Sequence, residues 1–270
     1  MTIAIIGLGL MGGSFMLALR GFEGATLWGV DSDPAAREAA LVSGAADAVF
    51  ETLPPGADIL LVCLPPEATV MFVKDNTAHL GSLFCEICGV KRRIVREIAE
   101  LLPPGVEYIP LHPMAGRETS GFAAADPRLF AGAGLIVTPP DGKPPRRASL
   151  IERTARYIGF SEVVYATPEE HDRLIAATSH LPHLAASALR LSLPGRVGYA
   201  YAGGAWRGGT RVADAEGFSG LFIENREHTL RAADTFIENL TALRNLIASG
   251  KQEELEALLD TARRREKGCL

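Results

Sequence analysis

The 270-residue chain has few cysteines, no excess of positive charge and, after its first nineteen residues, no run of 18 or more apolar residues. Four cysteines are too few for a disulfide scaffold. A formal net charge of −5, from 27 basic and 32 acidic residues, argues against a protein that binds nucleic acid by neutralising phosphates. The 47% share of hydrophobic residues excludes global disorder. We therefore expect a globular, cytoplasmic enzyme with neither a nucleic-acid nor a membrane partner.

The N-terminal segment carries no charged side chain before Arg20. A signal peptide needs a basic residue ahead of its apolar stretch, and here the first cation follows that stretch. Four glycines interrupt the segment: Gly7, Gly9, Gly12 and Gly13. Such a density is poor for a membrane-spanning helix but lets the backbone approach a phosphate closely. The segment is therefore predicted to form a strand, a glycine-rich turn and a helix.

Short apolar runs alternate with helical patterns through the first half of the chain. Predicted strands cover residues 3–6, 26–30, 58–64, 83–88, 106–110, 135–138 and 163–165, and predicted helices cover 11–20, 90–102 and 148–158. Continuous apolar strands that alternate with helices indicate a parallel sheet covered on both faces. The pattern predicts an α/β domain of the Rossmann type over residues 1–166.

No convincing strand pattern follows Thr167. Thr167, Pro168 and Glu169 form a good helix start, with a capping threonine, a proline in the first turn and an early acid. Long helical patterns then cover residues 169–193, 218–249 and 252–265. Residues 167–270 are therefore expected to form an all-helical second domain.

Gly7, Gly9 and Gly12 form a G-x-G-x-x-G turn placed directly after a strand and before a helix. The first glycine permits the tight turn, the second lets the backbone approach a pyrophosphate, and the third lets the helix pack on the strand. Leu10 and Met11 lie at the N-terminus of the helix, which faces the anion. These five residues are the candidate cofactor turn.

Asp31 ends the second predicted strand, nineteen residues after Gly12. A carboxylate there would accept hydrogen bonds from the adenosine ribose hydroxyls and would repel a 2′-phosphate. No arginine follows at positions 32 or 33 to attract such a phosphate. The sequence therefore predicts NAD rather than NADP. FAD is an alternative, for which the sequence offers no second flavin signature.

Cys85 and Cys88 form a CxxC pair. A zinc site would need two further ligands at suitable spacing, and the sequence has no second CxxC. A redox pair should open a helix, whereas this pair lies along a predicted strand. We interpret both cysteines as small apolar side chains and predict no metal site.

His112, His180 and His183 are the candidate site histidines. His112 follows an apolar strand at its carboxyl end, where ligands bind in open α/β sheets. His180 and His183 are three residues apart in a predicted helix and can share one face of it. Each of the three is also open to interpretation as a buried core histidine. His171, in a first helical turn, is interpreted as structural.

Five sequence blocks together resemble the prephenate/arogenate dehydrogenase family of tyrosine biosynthesis. They are residues 7–12 with Ser14, 86–91, 112–121 (HPMAGRETSG), 179–183 (SHLPH) and 209–213 (GTRVA), and Asn225 also fits. The resemblance implies a Rossmann domain followed by an all-helical dimerisation domain, with NAD as the cofactor. It also implies oxidative decarboxylation of prephenate, in which the ring loses hydride from C4 and CO₂ from C1.

The resemblance assigns roles to individual residues by their position in these motifs. His112 resembles the catalytic base that acts on the 4-hydroxyl of the substrate. Arg211 matches an arginine that binds a substrate carboxylate, and His183 matches a substrate-pocket histidine, with His180 in the same motif. Glu118 follows the His112 motif closely and is expected to pair with Arg211 when the site is empty.

One position departs from the family pattern. Many relatives have Gly-Ser where this chain has Cys88-Gly89, and that serine hydrogen-bonds the substrate hydroxyl. Gly89 has no side chain with which to do so. A water, Cys88, another polar group or a heavier dependence on His112 would have to take its place.

Three other functions are open at this stage. Arogenate dehydrogenase activity would form tyrosine directly. A β-hydroxyacid dehydrogenase begins with a similar turn but uses a lysine of its helical domain, where this chain has only Lys251 and Lys267, in polar settings. A non-catalytic NAD sensor would leave His112 and Arg211 without a catalytic or substrate-binding role.

Apolar residues recur at near-helical spacing between positions 221 and 246. They predict a homodimer joined through the helical half of the chain.

Overall fold

The structure is a computed structural model that describes residues 1–117, 119–193, 201–214 and 217–266. It divides into two compact units, Met1–Leu174 and Ile175–Leu270. The sheet lies in the first unit, and the described part of the second unit is helical. The predicted fold class, a Rossmann-type α/β part followed by an all-helical part, is confirmed.

The first unit is built on one eight-stranded sheet with the order β3-β2-β1-β4-β5-β6-β7-β8. Its strands are β1 Thr2–Ile6, β2 Thr26–Val30, β3 Ala48–Phe50, β4 Ile59–Val62, β5 Leu83–Glu86, β6 Glu107–Pro113, β7 Gly134–Val137 and β8 Glu162–Tyr165. Strands β1 to β6 are parallel, so their carboxyl ends meet at one edge. The order reverses between β1 and β4, the point at which such sheets bind ligands.

Strand β7 runs antiparallel to β6, with His112 opposite Ile136, so the sheet is mixed where a parallel one was predicted. A parallel connection needs a crossover of a dozen or more residues, usually a helix. The connection from β6 to β7 contains only the short 3₁₀ helix Phe122–Ala124 among its described residues. The chain therefore returns in the opposite direction, and β8 then pairs with β7 in parallel.

Six helices accompany the strands of the first unit. They are α1 Leu10–Ala18, α2 Pro34–Val42, α3 Pro66–Asp75, α4 Arg92–Leu101, α5 Ala148–Ile158 and α6 Pro168–Ile175. Helices α2 and α3 and strand β3 were not predicted from the apolar pattern. Helix α2 buries only Ala40 and therefore has little apolar signal. Its start is nevertheless marked, because the Asp33 side chain accepts the N–H of Ala35 and Pro34 opens the helix.

The core lies on both faces of the sheet, as predicted. Successive strand residues point to opposite faces. Ile5 and Cys85 therefore belong to one buried cluster, while Ile6 and Phe84 belong to the other. This double burial explains why the strands are continuous apolar runs rather than alternating ones.

The second unit contains a π-helical turn and five α-helices in its described part. They are the turn Ala176–His180 and the helices α7 Leu181–Leu191, α8 Gly204–Thr210, α9 Phe218–Glu224, α10 Arg226–Ala248 and α11 Gln252–Glu266. The single helix predicted over 169–193 is thus interrupted, the one predicted over 218–249 divides at Asn225, and α8 was not predicted. Among the described residues, no helix combines the length and the apolar character needed to cross a membrane.

Candidate functional site

The glycine-rich turn after β1 has the backbone geometry that its sequence predicts. Gly7 adopts φ +86°, a left-handed conformation that favours glycine. A Cβ at Gly12 would clash with the carbonyl oxygen of Gly7, so only glycine lets α1 begin this close to the turn. A Cβ at Gly9 would meet nothing within 4 Å, so the space above this residue is open to a ligand.

Helix α1 begins at Leu10, immediately after the turn. The side chain of Leu10 is buried, and Met11 packs against the core. Leu10 and Met11 can therefore bind an anion only through their backbone N–H groups. Such groups have no intrahelical partner in the first turn of a helix. Together with the helix dipole, these groups favour a phosphate at this position.

Asp31 follows β2 and is bonded to the glycine-rich turn. Its Oδ2 accepts the backbone N–H of Leu8 at 2.6 Å, and its Oδ1 accepts the N–H of Asp33 at 2.8 Å. Arg37 Nη1 donates to the carbonyl oxygens of Asp31, at 2.6 Å, and of Ser32, at 3.0 Å. Positions 32 and 33 give no sign of this arginine, because it is helix α2 that brings position 37 back to the end of β2.

His112 lies near the carboxyl end of β6, at the same edge of the sheet as the glycine-rich turn. Its Nδ1 is 2.7 Å from Nε2 of His171, and Nδ1 of His171 is 2.7 Å from Oδ1 of Asp172. The three side chains form a continuous chain of hydrogen bonds. His171, predicted to be structural, is thus bonded to the candidate base, and Asp172 was not predicted as a site residue. The only local signal was that the two residues are adjacent at a helix start.

Asp172 also holds the start of α4. Its Oδ1 accepts the backbone N–H of Lys91 at 2.8 Å, and its Oδ2 accepts that of Arg92 at 2.9 Å. Asp172 and His171 are both buried. Burial lowers the pKa of His171 below its ordinary value, and the hydrogen bond with Asp172 opposes this effect.

Lys91 and Glu86 form a fully buried ion pair beside this chain of hydrogen bonds. Lys91 Nζ lies 2.8 Å from Glu86 Oε1 and donates to the carbonyl oxygen of Leu111 at 2.6 Å. The remaining capacity of Glu86 is used by the N–H of Cys88 and by the hydroxyl of Tyr108, at 2.6 and 3.1 Å. Desolvation, together with the nearby Glu86, raises the pKa of Tyr108 well above its ordinary value. The pair thus joins β5 to β6 next to His112.

The cysteines of the CxxC pair pack into the protein, as interpreted from the sequence. β5 ends at Glu86, so Cys88 lies beyond the strand and not within it as predicted. Cys88 Sγ lies 3.8 Å from Thr69 Oγ1 and 3.9 Å from the carbonyl oxygen of Leu64. Desolvation by burial raises the pKa of both thiols. Within the described ranges, no group of three or more histidine, cysteine or acidic side chains is arranged to hold a metal ion.

The segment that follows His112 packs on helix α1. Ser14 Oγ accepts the N–H of Asp126 at 3.0 Å, and Asp126 forms an ion pair with Arg117 at 2.8 Å. A Cβ at Gly13 would lie 2.8 Å from that of Ala125, so this glycine admits the segment. Glu118, predicted to pair with Arg211, lies outside the described residues.

In the second unit, the SHLPH motif spans the π-helical turn and the start of α7. Pro182 has no N–H to give to the helical ladder, and π turns form where the ladder is interrupted and are frequent at functional sites. His180 is buried, and its Nδ1 lies 3.0 Å from Thr229 Oγ1. His183 is half-buried, bonds to the Ser179 carbonyl through Nδ1 at 2.8 Å and stacks on the Phe218 ring at a centroid distance of 3.6 Å.

Arg211 begins a short 3₁₀ helix, Arg211–Asp214, directly after α8. Its neighbour Thr210 is buried, and the Thr210 hydroxyl donates to the carbonyl oxygen of Trp206 at 2.8 Å. Arg211 itself is exposed. Within its own unit, the fold therefore fixes the backbone before Arg211 and presents its side chain at the surface.

Comparison with known proteins identifies two family models along the chain. The nucleotide-binding domain of prephenate dehydrogenase matches residues 16–161, and the dimerization domain of prephenate dehydrogenase matches residues 167–261. Together the two matches follow the order of the sheet-bearing part and the helical part.

Individual relatives resemble the chain over most of its length. A cyclohexadienyl dehydrogenase from Zymomonas mobilis is 30% identical over 261 residues, covering 92% of this chain and 88% of the relative. A prephenate dehydrogenase from Bacillus subtilis is 28% identical over 281 residues, covering 97% of this chain and 74% of the relative. The crystal structure of prephenate dehydrogenase from Aquifex aeolicus, in complex with hydroxyphenyl propionate and NAD⁺, superimposes with a TM-score of 0.87 at 27% identity, covering 100% of this chain and 98% of that chain.

Proposed function

This chain belongs to the prephenate dehydrogenase family, and we propose that it catalyses the NAD-dependent oxidative decarboxylation of prephenate to 4-hydroxyphenylpyruvate. The family predicted from the sequence motifs is confirmed. The observation that carries the proposal is that the glycine-rich turn and His112 lie at the same edge of one sheet. A hydride acceptor and a base are thereby brought to one side of the fold.

The residues of the first unit fit NAD. The turn at Gly7 and Gly12 admits only glycine, the space above Gly9 is open, and the N-terminus of α1 follows directly. We assign the pyrophosphate to Gly7, Gly9, Leu10, Met11 and Gly12, and the adenosine ribose to Asp31. NAD, when bound, supplies the acceptor for the hydride that leaves C4 of the substrate ring.

His112 is proposed to act as the base on the 4-hydroxyl. Its imidazole accepts the hydroxyl proton while C4 loses hydride and the bond from C1 to its carboxylate breaks. The electron pair of that bond enters the ring, CO₂ leaves, and the proton returns to the oxygen of the new phenol. His112 thus acts as a general base in the transition state and is regenerated in its neutral form, so no proton is consumed overall. A neutral imidazole, whose ordinary pKa is about 6.5, suits this task at neutral pH.

The second unit is proposed to supply the groups that bind the substrate. Arg211 is exposed and carries a planar guanidinium that can grip a carboxylate with two hydrogen bonds. His183 bonds to the Ser179 carbonyl through Nδ1, so its Nδ1 carries the hydrogen and the neutral ring accepts through Nε2. His180 is buried, which favours a supporting role for it in the same motif. Glu118 is retained as a substrate-site residue on the family resemblance alone.

We also propose that the chain forms a homodimer, and that residues 1–166 bind the nucleotide while residues 167–270 dimerise and bind the substrate. The match of residues 167–261 to a dimerization domain supports this proposal. Helix α10 exposes large apolar side chains in addition: Leu230, Phe236, Ile237, Leu240 and Ile247. Exposed apolar surface of this extent is typical of an interaction face. The cytoplasmic location stays a prediction.

The test is to mix the purified protein with NAD and prephenate and to follow NADH absorbance and CO₂ release. One CO₂ per NADH is expected, with 4-hydroxyphenylpyruvate as the product. Preferential turnover of arogenate would assign the alternative, in which tyrosine forms directly. Turnover of a simple 3-hydroxyacid without CO₂ release, or NAD binding without turnover of any of these compounds, would contradict the proposal.

A further inference from the structure

The side chain of Asp172 fixes the position of a hydrogen atom on His171. Asp172 accepts the backbone N–H groups of Lys91 and Arg92, and its Oδ1 also lies 2.7 Å from His171 Nδ1. Backbone N–H groups can only donate, and a carboxylate can only accept. The hydrogen between Asp172 and His171 therefore belongs to His171 Nδ1.

The tautomer of His171 determines which nitrogen of His112 carries the hydrogen. Burial favours the neutral form of His171, and a neutral imidazole has one N–H and one lone pair. With the hydrogen on Nδ1, the lone pair of His171 is on Nε2. That atom lies 2.7 Å from His112 Nδ1, so His112 Nδ1 is the donor. The lone pair of a neutral His112 is then on Nε2.

We propose that Asp172 and His171 are positioning residues that hold His112 in the tautomer whose Nε2 is the base. The inference deepens the proposed function and rests on it. Neither residue has to touch the substrate, because both act through His112. A histidine that carried its hydrogen on Nε2 would present a donor, and not a base, to the 4-hydroxyl. Asp172 and His171 thus determine which of the two neutral tautomers of His112 the site contains.

The local sequence explains why this chain relies on α6 for the orientation of His112. Gly89 has no side chain, and the thiol of Cys88 lies against Thr69 and the Leu64 carbonyl. His171, which accepts the hydrogen bond of His112, is held in turn by Asp172, and Asp172 is held by two backbone N–H groups. A side chain held by its own packed partners keeps the precise geometry that proton transfer needs.

The charges around the two imidazoles determine the sign of the expected pH effect. The charged groups that act on His171 are Asp172 on α6, Lys91 before α4 and Glu86 on β5, and Tyr108 on β6 donates its hydroxyl to Glu86. Glu86 and Lys91 neutralise each other in a buried pair, so Asp172 is the net negative charge of the set. Through His171 it stabilises protonated His112. Loss of this connection should lower the pKa of His112 and move the acidic limb of the rate profile to lower pH.

The first experiment determines the tautomers in the wild-type protein without substrate. Histidine labelled with ¹⁵N in the ring gives long-range ¹H–¹⁵N correlations that distinguish hydrogen on Nδ1 from hydrogen on Nε2. Single histidine variants assign the signals. Both His112 and His171 should carry hydrogen on Nδ1 at neutral pH. Hydrogen on Nε2 in either ring would overturn the proposal.

The second experiment uses two amides that each imitate one half of the His171 ring. His171→Asn places an amide at the position of Nδ1, so it can still donate to Asp172 but cannot reach His112. His171→Gln places an amide oxygen near the position of Nε2, where it can accept from His112. We expect kcat to fall by about 10²-fold in the Asn variant. The Gln variant should recover about tenfold of this loss. The acidic limb of kcat should move down by about one pH unit in the Asn variant.

The control is His79→Asn, the same substitution at an exposed histidine, which should keep the wild-type kcat and pH profile. Thermal unfolding reports whether each His171 variant is folded. The positioning role would be overturned if the folded His171→Asn and His171→Gln variants lost kcat equally and the acidic limb of the kcat profile did not move. A wild-type protein that shows the expected tautomers but does not turn over prephenate would refute the proposed function, while the effect of Asp172 and His171 on the tautomer of His112 would stand. Turnover of prephenate by a protein in which either histidine carries its hydrogen on Nε2 would support the proposed function and refute the positioning role of Asp172 and His171.

Discussion

The carboxylate of Asp31 accepts the backbone N–H of Leu8 across 2.6 Å, so the end of β2 is bonded to the glycine-rich turn. The same carboxylate is the group proposed to bind the adenosine ribose. Arg37 donates hydrogen bonds to the carbonyl oxygens of Asp31 and Ser32. We therefore expect the choice between NAD and NADP to depend on the Asp31 carboxylate and the Arg37 guanidinium.

Replacement of Asp31 by Ser should reduce the preference for NAD over NADP. Repulsion of the 2′-phosphate is removed, and the Arg37 guanidinium remains close enough to attract it. A charged hydrogen bond contributes about 1.5–3 kcal/mol, so the ratio of kcat/KM for the two cofactors should change by roughly 10- to 100-fold. Steady-state kinetics with each cofactor measure this ratio.

The matched control adds Arg37→Gln to Asp31→Ser. The double variant should lose most of the NADP use that the single variant gains, while NAD use changes little between the two. Equal or better use of NADP by the wild-type protein would contradict the NAD assignment itself.

The sheet and its ligand edge could be predicted from the sequence because a buried parallel strand is a continuous apolar run. The bounds of β2 and α5 agree with prediction to the residue. Helix α2 was missed because only Ala40 among its residues is buried. The direction of β7 depends on the length and content of the preceding connection, which apolar periodicity does not report.

The candidate site was predictable only as far as local motifs extend. His112 follows a strand at the ligand edge and belongs to a specific motif, so it could be found. Its partner His171 is 59 residues away and is brought to it by tertiary packing alone. Asp172 was overlooked for the same reason, since its bonds to Lys91 and Arg92 span 81 and 80 residues.

Replacement of Lys91 by Met should strongly destabilise the first unit. The substitution leaves Glu86 buried without its cation, and removal of one partner from a buried ion pair costs about 3–5 kcal/mol. Urea denaturation measures the loss in the free energy of unfolding. Combination with Glu86→Gln should recover much of that loss, because the uncompensated charge is removed while an acceptor for the Cys88 N–H remains.

The control for this prediction is Lys74→Met on the exposed side of α3. A surface substitution of this kind should change the free energy of unfolding by no more than about 0.5 kcal/mol. If Lys91→Met behaves like Lys74→Met, the buried pair makes no net contribution to stability.

Replacement of Ile237 by Asp should weaken the proposed homodimer. Ile237 is 58% exposed on α10, so the single subunit tolerates a charge there, whereas an apolar interface does not. Light scattering at micromolar concentration should give the mass of a dimer for the wild-type protein and of a monomer for the variant. Arg244→Asp, on an exposed position of the same helix, is the comparison. A monomeric wild-type protein would refute the dimer.

Substitutions of His112 and Arg211 should affect different kinetic constants. A base acts in the transition state, so His112→Asn should lower kcat by ~10²–10⁴-fold and leave KM almost unchanged. The wild-type kcat should rise with pH through the pKa of His112 and then level off, because the neutral imidazole is the active form. His79→Asn, at an exposed site, should retain the wild-type values. A His112→Asn variant with nearly normal kcat would remove His112 from the chemistry.

Arg211 should instead hold a carboxylate in both the ground state and the transition state. Its truncation to Ala should raise KM for prephenate by the equivalent of ~2–5 kcal/mol, which is at least about 30-fold, with a smaller change in kcat. Arg211→Lys should recover only part of this loss, because an ammonium cannot bind a carboxylate through two parallel hydrogen bonds. Arg207→Ala, at another exposed arginine of the same segment, should keep the wild-type KM. An unchanged KM in Arg211→Ala would show that the substrate carboxylate is bound by another group.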